Sequence, residues 1–431
     1  MPSEDERREG TPWWARGGVG VRDGRLTVSG RDAGALARTH GTPLYVHDLQ
    51  RIGEQARGLR RAIAGAGLRP RVRLALKAQR EPQVLAFVRS LGGPGSPDSV
   101  GIDACTPGEV EHAVSNGFEP NEISHTGTNL SDRDIDRLLA FDGLHVNLDL
   151  PSQLDRFGRR GPGREVGIRL NPRAGAASGG ASESLYSSKR PTKFGFYEED
   201  LDQAVAIARR HDLSIVTAHV HLGDGYLDDD LHAWDHAMAE TGRLASRLRD
   251  AGCPIREVNT GGGQGLPLGS GQRPLDLDRW AGILARHLGS LDVVVGTEPG
   301  DYLVREAGVL LAEVVTVSDR GGTTFVGLDV GWNVMNDRFV YDDPVTIVHA
   351  THPDAAPTQR VTVSGNVNEG DDLFGEDVSL PDVAEGDILA LLAVGGYNQA
   401  MYAAHTLRPP ADGVYFDDRA SGPEHPEGRT R

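Results

Sequence analysis

From about residue 51 to about residue 305 the chain keeps a single rhythm, and that rhythm limits its fold more than any other feature. Helical stretches rich in Ala, Leu and Arg (51–66, 81–91, 107–117, 131–140, 199–211, 230–252 and 275–289) alternate with short β-branched or apolar runs. The runs read RVRLAL, SVGID, EISHT, LHVNLD, EVGIRLNP, IVTAHVHL, REVNTGG and DVVVGTEPG. About eight strand–helix units in roughly 250 residues match a closed parallel barrel, the (β/α)8 TIM-like member of the α/β class. A doubly wound open sheet is the alternative, because periodicity does not report closure. After residue 305 the texture changes to strands separated by turn signals (VLLAEVVTV, TTFVGLDV, TIVHA, QRVTVSG, DILALLAV), which predicts a mostly antiparallel β-barrel or sheet over 306–420.

The expected organisation is therefore a polar disordered tail over 1–16 with an exposed Trp13-Trp14 pair, then a segment 17–44 that joins the β domain. A barrel over 45–305, the β domain, and a second disordered tail over 421–431 follow. The glycine-rich 174–190 stretch reads as a loop and a candidate lid. A net charge of −17 argues against nucleic acid as a partner, since phosphate binding needs a basic face. No apolar run approaches the roughly 18 residues of a membrane helix, and MPSEDERREG does not resemble a signal peptide. Two cysteines, Cys105 and Cys253, make no disulfide framework. The chain reads as a cytoplasmic enzyme or binding protein for a small molecule, without a membrane partner.

In a parallel barrel, chemistry collects at the C-terminal ends of the strands. The polar residues that close the strand runs are Lys77, Asp103, Asn129, Arg169, His219 or His221, Gly261-Gly-Gly263 and Glu298. Lys77 stands out, because only Lys77, Lys189 and Lys193 occur in a chain whose other side-chain cations are arginines, and arginine cannot form a Schiff base. Its bland reading is a buried stem with the ammonium in water. Gly261–Gly263 would let backbone N–H groups approach an anion, and a plain turn explains them equally well. His219 and His221 lie on one side of a strand with no third ligand evident nearby, so no metal is expected.

These residues resemble a known family, the barrel-type (fold type III) pyridoxal-phosphate decarboxylases of the diaminopimelate and ornithine decarboxylase group. The resemblance rests on Ala75-Leu-Lys-Ala, Asp103-Ala-Cys-Thr-Pro-Gly-Glu109, Arg169-Leu-Asn-Pro, Lys193-Phe-Gly and His219-Val-His-Leu-Gly. It continues through Thr260-Gly-Gly-Gly, Glu298-Pro-Gly, Asp329-Val-Gly, Tyr341, Gly365…Glu369…Asp372 and Gly395-Gly-Tyr397, and so covers nearly everything from about residue 43 to 416. Each piece is weak alone, and their order and spacing are specific.

The resemblance implies pyridoxal 5'-phosphate as cofactor and an amino acid as substrate, decarboxylated through a Schiff base at Lys77. It implies that Glu298 meets the pyridine nitrogen, His221 stacks on the ring, and Arg169 lies beneath the site with Asp103 nearby. Gly261, Gly262 and Gly263 match the phosphate loop, and Tyr397 a tyrosine that reaches the phosphate. In the family, Tyr397, Glu369 and the region near residue 368 enter from the partner subunit, which implies a head-to-tail homodimer with shared sites.

Three departures qualify it. Asn368 stands where the family has a cysteine thought to reprotonate the product carbon, and an amide is a poor acid. Asp301 replaces an arginine, and Asp224 replaces a serine close to where phosphate is expected. The substrate residues that the resemblance suggests are Asp301, Arg338, Tyr341, Asp342 and Glu369, with Tyr341-Asp342 resembling an amine-binding pair. The expected substrate is accordingly a cationic or otherwise modified amino acid, not ordinary diaminopimelate. The alternatives are a cofactor enzyme of altered outcome, such as decarboxylation coupled to transamination or condensation, and a non-catalytic homologue that binds a related enzyme.

Overall fold

The computed structural model describes residues 11–93, 95–96, 98–177 and 191–418. The expected tail over 421–431, the first ten residues of the expected tail over 1–16, and most of the candidate lid over 174–190 lie outside the described residues.

Eight parallel strands close into a barrel. Around the ring they run Arg69–Ala75, Val100–Ala104, Ile123–Thr126, His145–Leu148, Glu165–Arg169, Ser214–His219, Glu257–Asn259 and Val294–Thr297, and the last pairs with the first. The open-sheet alternative is thereby excluded. The helices between them are set by local signals. Asp48 caps Leu49–Gly65 by accepting from the Gln50 amide at 3.0 Å. Thr106 followed by Pro107 starts Pro107–Ser115, and a Ser131–Asp134 capping box starts Asp132–Leu139. Leu49–Gly65 buries Leu49, Ile52, Ala56, Leu59 and Ile63, a stripe at helical spacing that faces the barrel. Leu59 and Ile63 are fully buried, each contributing about 1.5–3 kcal/mol. The helix Pro151–Arg160 is one that the sequence reading passed over. Its proline sits at the first turn and Gly158 lies near its end, so it presents only a short apolar stripe to find.

The second domain is a mixed sheet built on the long strand Gly308–Arg320. That strand pairs antiparallel with Thr323–Leu328, with Ile388–Leu392 and with Leu44–Asp48. The strand Leu44–Asp48 therefore belongs to this sheet, and the boundary expected at residue 45 falls inside it. Two of the domain's strands, Leu373–Leu380 and Asp412–Phe416, were also missed in the sequence, because each is half exposed or interrupted by Gly and Asp. Residues 11–16 are not a free tail. Trp13 and Trp14 are half-buried, Trp14 against the apolar cluster of the N-terminal segment and Trp13 with the Arg16 guanidinium 5.5 Å from its ring. Among the described residues no helix is long and apolar enough to cross a membrane.

Candidate active site

The strand ends converge on one cavity of about 280 Å³ at the C-terminal mouth of the barrel. From the barrel come Lys77, Asp103, Cys105, Thr126, Arg169, His219, His221, Asp224, Gly262, Gly263, Glu298 and Asp301, and from the β domain Tyr341, Asp343 and Tyr397. The alternation of a strand explains the placement. Arg71, Arg73, Ala75 and Lys77 follow one another at every second position, so Lys77 faces the same interior as Ala75 beneath it. Wall atoms surround Lys77 on nearly every side while the cavity leaves it open to water. Tyr397 is the largest influence raising its pKa, against burial, and Cys105 and Asp103 add to the rise.

Glu298 is the most tightly held charge in the site. Its Oε2 accepts from His219 Nε2 at 2.9 Å and its Oε1 from Asn259 Nδ2 at 2.5 Å. Burial alone would push this carboxyl up, but His219, Arg73 and Asn259 together outweigh it and hold it at about 2. His221 goes the other way. Burial, with Lys77 and Arg169 beside it, pushes it well below the usual histidine range. Its Nδ1 accepts from the Gly262 amide at 3.4 Å, which suits a neutral ring. Arg169 stacks over Phe194, 4.2 Å from the ring centre, and lies 3.8 Å from Asp149. Asp103 has Oδ1 buried and without a hydrogen-bond partner, and burial followed by Glu298 pushes its carboxyl well up.

The loop after Asn259 is shaped by close backbone approach. A Cβ on Gly262 would lie 2.5 Å from the Glu298 carbonyl oxygen, and one on Gly263 would strike the Gly223 carbonyl. Gly261 and Gly263 also have φ of +68° and +97°, which a side chain rarely tolerates. Only glycine keeps this backbone against the cavity. Gly262 and Gly263, a lysine at the base, a buried carboxylate held ionised, and the unpartnered Asp103 Oδ1 are the donor set that pyridoxal phosphate requires: a phosphate seat, an amine for its aldehyde and an anion for its ring nitrogen. The residues present fit that group.

The side of the cavity toward the β domain is acidic. Arg305 is buried and pairs with Asp301 at 2.5 Å, Asp343 at 2.7 Å and Asp337 at 2.9 Å. Three carboxylates on one guanidinium leave excess negative charge, and Asp224 lies on the same cavity wall. Burial, opposed by Arg305, pushes Asp337 up to about 6. Burial, then Asp301 and Asp343, pushes Asp224 up. Asp301 is thus tied to Arg305 with one oxygen, while its Oδ1 is buried without a partner.

Several expected residues stand elsewhere. Tyr397, expected from a partner subunit, lines the cavity of its own chain, its backbone N–H donating a hydrogen bond to the Ala78 carbonyl at 2.8 Å. Tyr341 joins it edge-on, with ring centres 5.6 Å apart. Asn129 is not among the lining residues, and Thr126 takes that place at the end of its strand. Arg338 pairs with Asp342, whose side chain is 91% exposed, and the wall position belongs to Asp343. Asn368 and Glu369 are exposed on the surface of this chain, Glu369 accepting from His405 at 3.0 Å.

The family described as pyridoxal-dependent decarboxylase, pyridoxal binding domain, matches residues 49–305. The chain is 35% identical to the diaminopimelate decarboxylase of Methanothermobacter thermautotrophicus over 399 residues, which is 90% of each protein. It is 30% identical to that of Streptomyces coelicolor over 411 residues, 90% of this chain and 88% of that one. Among solved structures, diaminopimelate decarboxylase from Helicobacter pylori complexed with L-lysine superposes with a TM-score of 0.80 at 26% identity, covering 89% of this chain and 94% of that chain.

Proposed function

Since this chain belongs to the family of pyridoxal-dependent decarboxylases, we propose a division of labour within its cavity and a class of substrate. The protein is a pyridoxal-phosphate-dependent carboxy-lyase that acts on an amino acid. Bound pyridoxal phosphate supplies an electron sink for the carbon that loses carbon dioxide.

In this reading Lys77 Nζ is the amine that would hold the cofactor's aldehyde carbon. Glu298, fixed by His219 and Asn259, presents a carboxylate to the ring nitrogen and favours its protonated form. His221, neutral and hydrogen-bonded to Gly262, packs against the ring without adding charge. The Gly261–Gly263 backbone and the Tyr397 hydroxyl bind phosphate, with Asp103 and Arg169 bracketing Lys77. Among the described residues the lysines and arginines that line the cavity are Lys77 and Arg169, and Asp224 and Asp301 make phosphate binding weaker than an arginine-lined seat would.

The wall of Asp301, Asp343 and Asp224 supports a substrate whose far end is a cation. Diaminopimelate, which the relatives' names specify, carries both an ammonium and a carboxylate at that end. The acidic wall suits the first and repels the second. The reading is a diamino or guanidino acid without a distal carboxylate. Diaminopimelate itself is the second reading, favoured by the 35% identity across nine-tenths of both chains. Asn368 favours a further variant, in which carbon dioxide loss is coupled to transamination or condensation, and product analysis separates that from simple decarboxylation.

Asn368 and Glu369, exposed beside Trp332 and His405, are assigned to the cavity of a second copy in a cytoplasmic homodimer. The observation that carries the function is the convergence of Lys77 and the ionised Glu298 on one cavity. Its test is the absorbance spectrum of purified protein with added pyridoxal phosphate. The visible band of a lysine-bound cofactor is expected in the wild type and absent in Lys77→Ala. A band of equal strength in both would remove Lys77 from the role.

A further inference from the structure

The interior of the barrel below Lys77 is not the packed apolar column that usually fills such a fold. Arg73 points into it from the first strand and is 3% exposed. Its Nη1 donates to Glu257 Oε1 at 2.7 Å, and Arg71 donates to the other oxygen at 2.5 Å. Glycines on the neighbouring strands make the room. A Cβ on Gly296 would lie 2.6 Å from Glu257 Oε1 and 3.2 Å from Arg73 Nη1, and one on Gly101 would lie 3.3 Å from Arg73 Cγ. Nothing in the reaction itself needs an arginine there, and burying one is costly.

The charges around it suggest its use. Two arginines face one glutamate, so the cluster carries one net positive charge, with Arg73 its buried cation and the Arg71 side chain 44% exposed. Two residues further along the same two strands stand Asn259 and Glu298, joined at 2.5 Å. The groups that face Glu298 are His219, Asn259, Arg73, Asp103, His221 and Cys105, and of these Arg73 alone is a fixed cation. We propose that Arg73 is a positioning residue that acts through Glu298: its buried guanidinium is the counter-charge that lets Glu298 stand at the mouth as a carboxylate and keep the cofactor's ring nitrogen protonated. Glu257 holds the guanidinium in place and Gly296 gives both their space. The inference rests on the Glu298 role proposed above. In keeping with it, Glu298 and Asp103 both help to keep Arg73 charged against burial.

The test is a pH titration of the ring nitrogen, read by nuclear magnetic resonance of holoenzyme loaded with nitrogen-15-labelled pyridoxal phosphate. Wild type, Arg73→Lys, Arg73→Met, Arg73→Met/Glu257→Gln and Glu298→Gln are compared, with circular dichroism as the check on folding. The expected result is that Arg73→Met and the double variant lose the ring proton at least about one pH unit earlier than wild type, and that lysine restores most of it. The double variant leaves no unpaired buried carboxylate, so it reports even where the single variant fails to fold. Folded variants titrating with wild type would overturn the inference, as would collapse of the double variant, which would assign Arg73 to the fold alone. An unchanged Glu298→Gln enzyme would instead remove the Glu298 role on which the inference stands.

Discussion

The barrel interior under Lys77 and the acidic wall facing it treat charge in opposite ways. Beneath the cavity, Arg71 and Arg73 close on Glu257, and His219 with Asn259 closes on Glu298, so both of these carboxylates have their donors at 2.5–2.9 Å. Across the cavity, Arg305 is shared by three aspartates and Asp224 adds a fourth carboxylate to that side. The first arrangement is complete before anything binds, as a seat for a fixed cofactor has to be. The second carries net negative charge among the described residues, which a substrate cation would offset. A site can thus show in its charge balance which part is scaffold and which part is left for the substrate.

The comparison can be broken at either end. Lys77→Ala has the largest expected effect, a loss on the order of 10³-fold or more in carbon dioxide release, because among the described residues no other lysine lines the cavity. Single-turnover measurement on the reconstituted variant checks it. Asp343→Asn is expected to act on the other end and more mildly. It should raise KM for a distal-cation substrate about tenfold, or ~1.4 kcal/mol, with kcat little changed, since binding charge is removed and the chemistry is not. A variant that lost kcat and kept KM would place Asp343 in the wrong half.

The smallest effect is on pH dependence. Asp337 holds a proton below about 6, mainly through burial. As pH falls through that value the Arg305 cluster behind the wall loses one negative charge, so KM for a cationic substrate rises while KM for a neutral amino acid does not. The same group affects folding with the opposite slope. Between about 4 and 6 the folded chain keeps a proton that the unfolded chain has released, so this contribution to stability falls as pH climbs. Denaturant melts at pH 4.5 and 6.5 on Asp337→Asn and wild type separate it from the other carboxylates.

Much of this was legible in the sequence, for identifiable reasons. Strand–helix alternation is a local signal, and it located all eight barrel strands. Lys77, Arg169, His221, Gly262, Gly263 and Glu298 meet because each ends a strand or begins the loop after it, and a parallel barrel brings all such ends to one face. What failed needed three-dimensional facts. Arg73 sits in a run that reads as a buried strand, yet only closure makes its face the polar interior that Gly101 and Gly296 open up. Asp342 and Asp343 are equivalent in sequence. Asp342 has φ +60°, ending the short helix Asp337–Tyr341, and that turn sends its side chain to solvent and Asp343 to the wall. Asp301 looked like a lost arginine, and the guanidinium that faces it four residues on, Arg305, could be weighed only once Asp337 and Asp343 were seen around it.

The central claim is that the cavity pairs a finished cofactor seat with a wall awaiting a cation. The most direct measurement is kcat/KM for carbon dioxide release by the holoenzyme, with lysine, ornithine and arginine set against meso-diaminopimelate under identical conditions. The account predicts that at least one of the three exceeds meso-diaminopimelate by about tenfold or more, a difference of ~1.4 kcal/mol at the transition state. Turnover of meso-diaminopimelate equal to or faster than all three would contradict it.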